Sequence, residues 1–224
     1  MPLSSATGTA PVLYSFRRCP YAMRARLAIM AAGFQCQLRE IVLRDKAPEL
    51  LEVSPKATVP VLVLSDGIVL EESLEIMAYV LGKRDPDNWL PEEGGRGAVM
   101  RLIAENDGPF KAHLDRTKYS DRFIAKGEQV DPKSERIGAM NFIGKLNDIL
   151  SEQGFLGGCK PNLADMAILP FVRQFAHIDI AWFRAQPVNH VLPWLDAFKS
   201  GAQFKSIMTK YQKWEEGQPP VLFP

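Results

Sequence analysis

Arg17-Arg18-Cys19-Pro20-Tyr21-Ala22 is the stretch on which the reading of this chain turns. It follows the apolar run Val12-Leu13-Tyr14-Ser15-Phe16, which reads as a β-strand. It opens the segment from Pro20 to Ala32, which reads as a helix. Proline suits a first helical turn because its missing N–H would be unpaired there anyway. Cys19 therefore falls at the helix N-cap, where unpaired N–H groups and the positive end of the dipole collect. The thiolate, not the thiol, is the nucleophile. A free thiol titrates near ~8.5, and a helix start with arginine beside it lowers that to roughly 3.5–7.5. The plain alternative is a buried, inert cysteine; two flanking charges and a helix start argue for a reactive one. Arg17 and Arg18 are the arginines best placed to favour the thiolate. Arg24 and Arg26 are two residues apart and point to different helix faces.

Composition bounds the rest. A chain of 224 residues suits one large domain or two small ones. With 46% hydrophobic and 24% charged residues it can build a full core without disulfides. Cys19, Cys36 and Cys159 are an odd number without metal-ligand spacing, so no disulfide framework and no metal site is expected. Reduced thiols in the cytoplasm are the expected state. A net charge of +1 gives no basic field for nucleic acid. No apolar run reaches the roughly 18 residues of a membrane span, and the N-terminus has no secretory pattern. Residues 1–10 read as a flexible lead-in. His113, His177 and His190 lack metal-ligand spacing.

In chain order, Gly33 is a natural helix stop, and residues 37–42 read as a second strand. Residues 48–53 form a short helix at best, ended by Ser54-Pro55. Residues 58–64 read as a third strand with Pro60 near its start. Asp66-Gly67 between apolar runs predicts a hairpin. Glu71-Glu72-Ser73 opens a helix. The order over the first 81 residues is β-α-β-α-β-β-α. Residues 82–97 have the glycine and proline content of a linker. Everything beyond reads helical: a long helix through Leu102 and Leu114 with a break near Gly108-Pro109, a helix after Asp131-Pro132, and a buried helix after a capping box at Asn162–Asp165. Pro170 inside that helix costs about 3 kcal/mol in isolation, so packing must compensate or the helix kinks. Shorter helices are expected at 191–200 and 203–214. The predicted domains are 11–82, α/β, and 96–214, all-α.

With these motifs in this order, the chain resembles the glutathione S-transferases, a thioredoxin-like domain followed by an all-helical one. Cys19-Pro20-Tyr21-Ala22 resembles the motif of cysteine-type members, such as the omega class, and of glutaredoxins. Val59-Pro60 resembles the family's cis-proline motif, and Glu72-Ser73 the pair that holds the γ-glutamyl end of glutathione. Asn162–Asp165 resembles its core capping box, with Asn, an equally good cap, in place of Ser or Thr. The resemblance implies glutathione as co-substrate, Cys19 as catalytic residue, and Lys46, Val59, Pro60, Glu72 and Ser73 as its binding residues, with no metal. It also implies a homodimer, and a second-substrate pocket between the domains near Phe16, Tyr21, Phe110 and His113. The residue types suit these roles. A helix start with a serine hydroxyl binds carboxylate, Glu72 can pair with an ammonium, and the Val59 backbone can pair with a peptide as an added strand does. Taken singly, Glu72-Ser73 is an ordinary cap, Lys46 a surface lysine and Pro60 a trans proline. Their combination carries the reading.

Three functions remain open at this point. A monothiol thiol transferase would use Cys19 to attack sulfur in a small disulfide substrate; Ala22 denies it a second cysteine within the motif. A conjugating transferase would use a hydroxyl from Tyr14, Ser15 or Tyr21 to act on a small hydrophobic electrophile. A non-catalytic binding protein could share the same fold.

Overall fold

The computed structural model describes residues 10–224, so most of the lead-in expected at residues 1–10 lies outside the described residues. The chain divides into two units. One comprises the described residues up to Pro86 together with Ala202–Pro224; the other is Asp87–Gly201.

The first unit follows the expected order: β1 (Val12–Ser15), α1 (Pro20–Ala32), β2 (Cys36–Glu40), α2 (Pro48–Val53), β3 (Val61–Val63), β4 (Val69–Leu70) and α3 (Ser73–Lys83). β1 and β2 are parallel, with Val12 opposite Gln37, as a helical crossover requires. β3 runs antiparallel to β1, with Leu13 opposite Leu62, and β4 antiparallel to β3. α1 ends at Gly33 in the left-handed conformation, φ 63°, which glycine adopts without a Cβ penalty. Its alanines 22, 25 and 28 are fully buried and allow close packing against α3. The Asp66-Gly67 turn closes with Leu64 N–H donating to Ile68 C=O at 2.8 Å. β3 starts at Val61 rather than residue 58, because Pro60 has no N–H to give a ladder.

The second unit is helical: α4 (Glu93–Glu105), a π-helical turn (Asn106–Phe110), α5 (Lys111–Lys118), α6 (Ser120–Ile124), α7 (Pro132–Gln153), α8 (Leu163–Ala176), α9 (Ile180–Arg184) and α10 (Val191–Ser200). α4 takes Gly94 and Gly95 into its first turn, so the linker is shorter than the composition of residues 82–97 implies. The break at Gly108-Pro109 is one wide turn inside a continuing helical path. α8 runs unbroken through Pro170 with most of its residues buried, and that burial offsets the lost hydrogen bond. Its start is the expected capping box. The Asn162 side chain accepts from Ala164 N–H at 2.8 Å, and Asp165 accepts from Asn162 N–H at 3.0 Å.

The tail departs from the reading. The helix expected over 203–214 is only α11 (Ala202–Ile207), and a fifth strand, β5 (Val221–Phe223), follows. Residues 202–224 therefore belong to the first unit, not to the helical domain predicted as 96–214. Trp214 N–H donates to Glu40 C=O at 2.9 Å, and β5 pairs antiparallel with β2, Cys36 opposite Phe223. The sheet order is β4-β3-β1-β2-β5. The Trp214 bond and the β5 pairing tie the segment after α11 to the edge of the sheet at β2.

Candidate active site

Cys19 occupies the N-cap of α1 in extended conformation, φ −72°, ψ 124°. Its N–H donates to Phe16 C=O at 3.0 Å, and its C=O accepts from Met23 N–H at 2.9 Å, the first helical bond. The side chain is half-buried beside a small core of Tyr14, Ile41, Leu50, Val59 and Val61. Its Sγ donates to Val59 C=O at 3.6 Å. The Val59–Pro60 peptide is cis. Cys19, Val59 and Pro60 thus come together although 40 residues separate the first two.

The arginines are arranged differently from the reading. Arg18 lies with its guanidinium 5.6 Å from the Phe16 ring centre. Arg17 donates its N–H to Glu40 Oε1 at 2.7 Å and reaches Met208 C=O with Nη1 at 3.5 Å. Arg24 is buried, with its guanidinium 5.4 Å from the Tyr21 ring centre. Arg26, which the sequence reading set aside, is a buried cation whose charge responds to Glu40 and Cys19. Burial lowers its pKa to about 10, against the electrostatic pull of Glu40 and, after it, of Cys19. Arg26 Nη1 donates to Ser15 Oγ at 2.7 Å and Nη2 to Arg17 C=O at 2.6 Å. Glu40 has its own pKa raised by burial, against the pull of the Arg17 N–H and of both arginines.

Ser73 is buried as the first residue of α3, and Glu72 is the N-cap. The exposed Glu72 accepts from Lys56 Nζ at 3.0 Å, and Glu71 lies 3.7 Å from the same nitrogen. The Glu72 hydrogen bond, followed by the nearby carboxylate charges, raises the Lys56 pKa. Lys56 escaped the sequence reading because nothing local marks it. The Ser54–Ala57 turn, with Ala57 at φ 52° and Ala57 N–H donating to Ser54 C=O at 2.8 Å, brings it there. Lys46 lies half-buried in the loop after the Val42–Asp45 bridge. No hydrogen bond or ion pair joins it to the other predicted members among the described residues.

Other expected residues have different roles. Phe110 is 1% exposed, its ring 5.0 Å from Phe142 and 5.6 Å from Phe175, so it is a core residue of the helical unit rather than a pocket lining. His113 Nδ1 is 2.6 Å from Glu135 Oε2. Phe16 is half-buried against the core beside Cys19, and Tyr21 is half-buried under Arg24. Tyr14 and Ser15, considered as hydroxyl donors to a substrate, are buried and engaged elsewhere. Tyr14 Oη accepts from Arg39 at 2.6 Å, and Ser15 Oγ accepts from Arg26. Among the described residues no group of side chains could hold a metal ion, and no helix is long and apolar enough to cross a membrane.

A family profile described as the glutathione S-transferase N-terminal domain matches residues 13–89. Glutathione S-transferase U22 of Arabidopsis thaliana is 36% identical over 181 residues, 79% of this chain and 79% of the relative. Glutathione S-transferase omega-1 of Sus scrofa is 24% identical over 170 residues, 75% of this chain and 68% of the relative. A solved glutathione transferase family member from Pseudomonas fluorescens, with two glutathione bound, superposes with a TM-score of 0.75 at 18% identity, covering 91% of this chain and 94% of that one.

Proposed function

The chain belongs to the glutathione S-transferase family, and from that premise we propose that it is a monothiol, glutathione-dependent thiol transferase with Cys19 as its nucleophile. The observation that carries this reading is Cys19 itself: half-buried at the N-cap of α1, with Sγ 3.6 Å from Val59 C=O. A thiolate there attacks the glutathionyl sulfur of a mixed disulfide. A Cys19–glutathione disulfide forms, and the substrate's sulfur leaves as thiolate and takes a proton from water. The thiolate of a second glutathione then attacks the glutathionyl sulfur, releasing oxidised glutathione and regenerating the Cys19 thiolate. Ala22 stands where a dithiol enzyme needs a second cysteine, so the resolving thiol comes from glutathione.

In this reading the first turn of α3 and Ser73 receive the γ-glutamyl carboxylate. Glu72 exchanges its bond with Lys56 for one to the ligand ammonium. The Val59 backbone pairs with the cysteinyl residue, and Lys46 pairs with the glycyl carboxylate. The conjugating alternative is weakened by Tyr14 and Ser15, whose buried hydroxyls already serve Arg39 and Arg26. The same reading makes the molecule a cytoplasmic homodimer acting on small disulfide or hydrophobic substrates.

The test compares wild type with Cys19→Ser in two assays: glutathione-dependent reduction of a small mixed disulfide, and conjugation of glutathione to an aryl halide. Reduction is expected to fall to the uncatalysed background in the variant. Reduction unchanged by the substitution sinks the proposal. Inactivity of wild type in both assays, with no glutathione binding by calorimetry, assigns the fold to a non-catalytic role.

A further inference from the structure

We propose that Arg26 is the positioning residue of Cys19, acting with Glu40 as a buried clamp on the peptide groups of Arg17. The inference rests on the reading of Cys19 as nucleophile. Arg17 has one backbone donor and one acceptor in the loop between β1 and α1. The donor is held by Glu40 Oε1 at 2.7 Å and the acceptor by Arg26 Nη2 at 2.6 Å. Both clamping side chains are buried, Arg26 at 1% exposure and Glu40 at 8%. Arg26 Nη1 also holds Ser15 Oγ, at the last residue of β1. One guanidinium therefore ties the strand end to the loop two residues before Cys19. The planar fork makes both bonds at once; an ammonium on a flexible stem is not pre-organised to do so.

The helix explains the reach. Arg26 is seven residues after Cys19, about two turns, which brings it back to nearly the same face. Helical side chains lean toward the N-terminus, so Arg26 reaches back to the carbonyl of Arg17, two residues before Cys19. The charged and titratable groups that act on its charge are Glu40 on β2, Cys19 at the start of its own helix, Tyr211 beyond α11, and Arg17. A buried cation needs compensating charge. Glu40 supplies part of it, and a Cys19 thiolate would supply more. A thiolate that stabilises the cation is stabilised by it in return, while Glu40 competes for the same charge. The two clamp residues should therefore move Cys19 ionisation in opposite directions. A purely structural clamp would loosen the loop in the same way from either side.

The experiment measures Cys19 alkylation by iodoacetamide in the full chain against pH, resolved by peptide mass spectrometry so that Cys36 and Cys159 do not contribute. Glu40→Gln keeps an oxygen for the Arg17 N–H and removes the charge. It should lower the midpoint by about one pH unit, making alkylation about tenfold faster on the acid side. Arg26→Met should raise the midpoint by about one unit, and Arg26→Lys, which keeps the charge, should stay within about half a unit of wild type. Thermal melting checks that each variant folds; if Arg26→Met does not, Glu40→Gln decides by the same criterion. A folded variant with an unmoved midpoint, or Glu40→Gln and Arg26→Met shifting it in the same direction, overturns the inference. Alkylation needs no glutathione. Opposite shifts without glutathione-dependent reduction would leave this inference standing and remove the thiol-transferase reading.

Discussion

Asp165 should make the helical unit more stable, not less, as pH falls from 7 toward 5. Its side chain is fully buried at the start of α8 and accepts three bonds: Oδ1 from Leu156 N–H at 3.1 Å and Trp194 Nε1–H at 2.8 Å, Oδ2 from Asn162 N–H at 3.0 Å. Burial raises its pKa to about 6, against the pull of those donors. In the unfolded chain an aspartate titrates near ~3.9. Between the two values the folded state binds the extra proton. The contribution is thus fully present below ~4 and lost as pH rises through about 6. A shift of roughly two units corresponds to about 3 kcal/mol in total, of which about 1 kcal/mol is recovered between pH 7 and 5. Asp165→Asn cannot titrate, and its amide sets a donor against one of the three N–H groups. It should cost about 1–3 kcal/mol at pH 7. Chemical denaturation of both proteins at pH 7, 6 and 5, followed by tryptophan fluorescence, isolates the term, because other titrating groups cancel in the difference. The gap between wild type and variant should widen by about 1 kcal/mol toward pH 5. A gap that stays constant or narrows refutes the reasoning.

The other two cysteines should separate by depth. Cys36 is buried, which pushes its pKa up to about 12, and Cys159 is exposed, so native labelling at pH 8 should modify Cys159 and spare Cys36 until the chain is denatured; equal native rates would contradict this. Phe223→Ala should cost about 3–5 kcal/mol, because the ring is 2% exposed on β5, and should leave the β2 edge open to self-association. Thermal melting and size-exclusion chromatography read the two effects, and a change below about 0.5 kcal/mol would mean that the tail does not secure the sheet.

What could be read from the residues was what local chemistry decides. Pro20 at a helix start, Gly33 at its end, the Asp66-Gly67 hairpin and the Asn162–Asp165 box each act over a few positions, and each stands where it was expected. What escaped was set by distant partners. Val221–Phe223 is too short to show a period, and only the open edge of β2 makes it a strand. Lys56 reaches Glu72 from 16 residues away. Phe110 has the same residue type in a core as at a pocket wall, and only its contacts with Phe142 and Phe175 distinguish them.

The arginines show most clearly why adjacency misleads at a helix N-cap. Arg17 and Arg18 flank or nearly flank Cys19 in sequence, yet one reaches the Met208 carbonyl and the other lies by the Phe16 ring. Arg17 and Arg18 lie in the turn that the Cys19 N–H closes on Phe16 C=O, where side-chain direction depends on tertiary contacts. Residues after Cys19 lie on a helix, where direction is fixed by spacing and by the lean toward the N-terminus. Position i+7 from the cap returns to the capping face, and a long side chain there points back along the axis. Arg26 satisfies both conditions, and Glu40, 14 residues further along, makes its burial tolerable. The peptide groups of the loop before Cys19 are therefore held from two turns down the helix and from the neighbouring strand, by Arg26 and Glu40, and not by the arginines next to it in sequence.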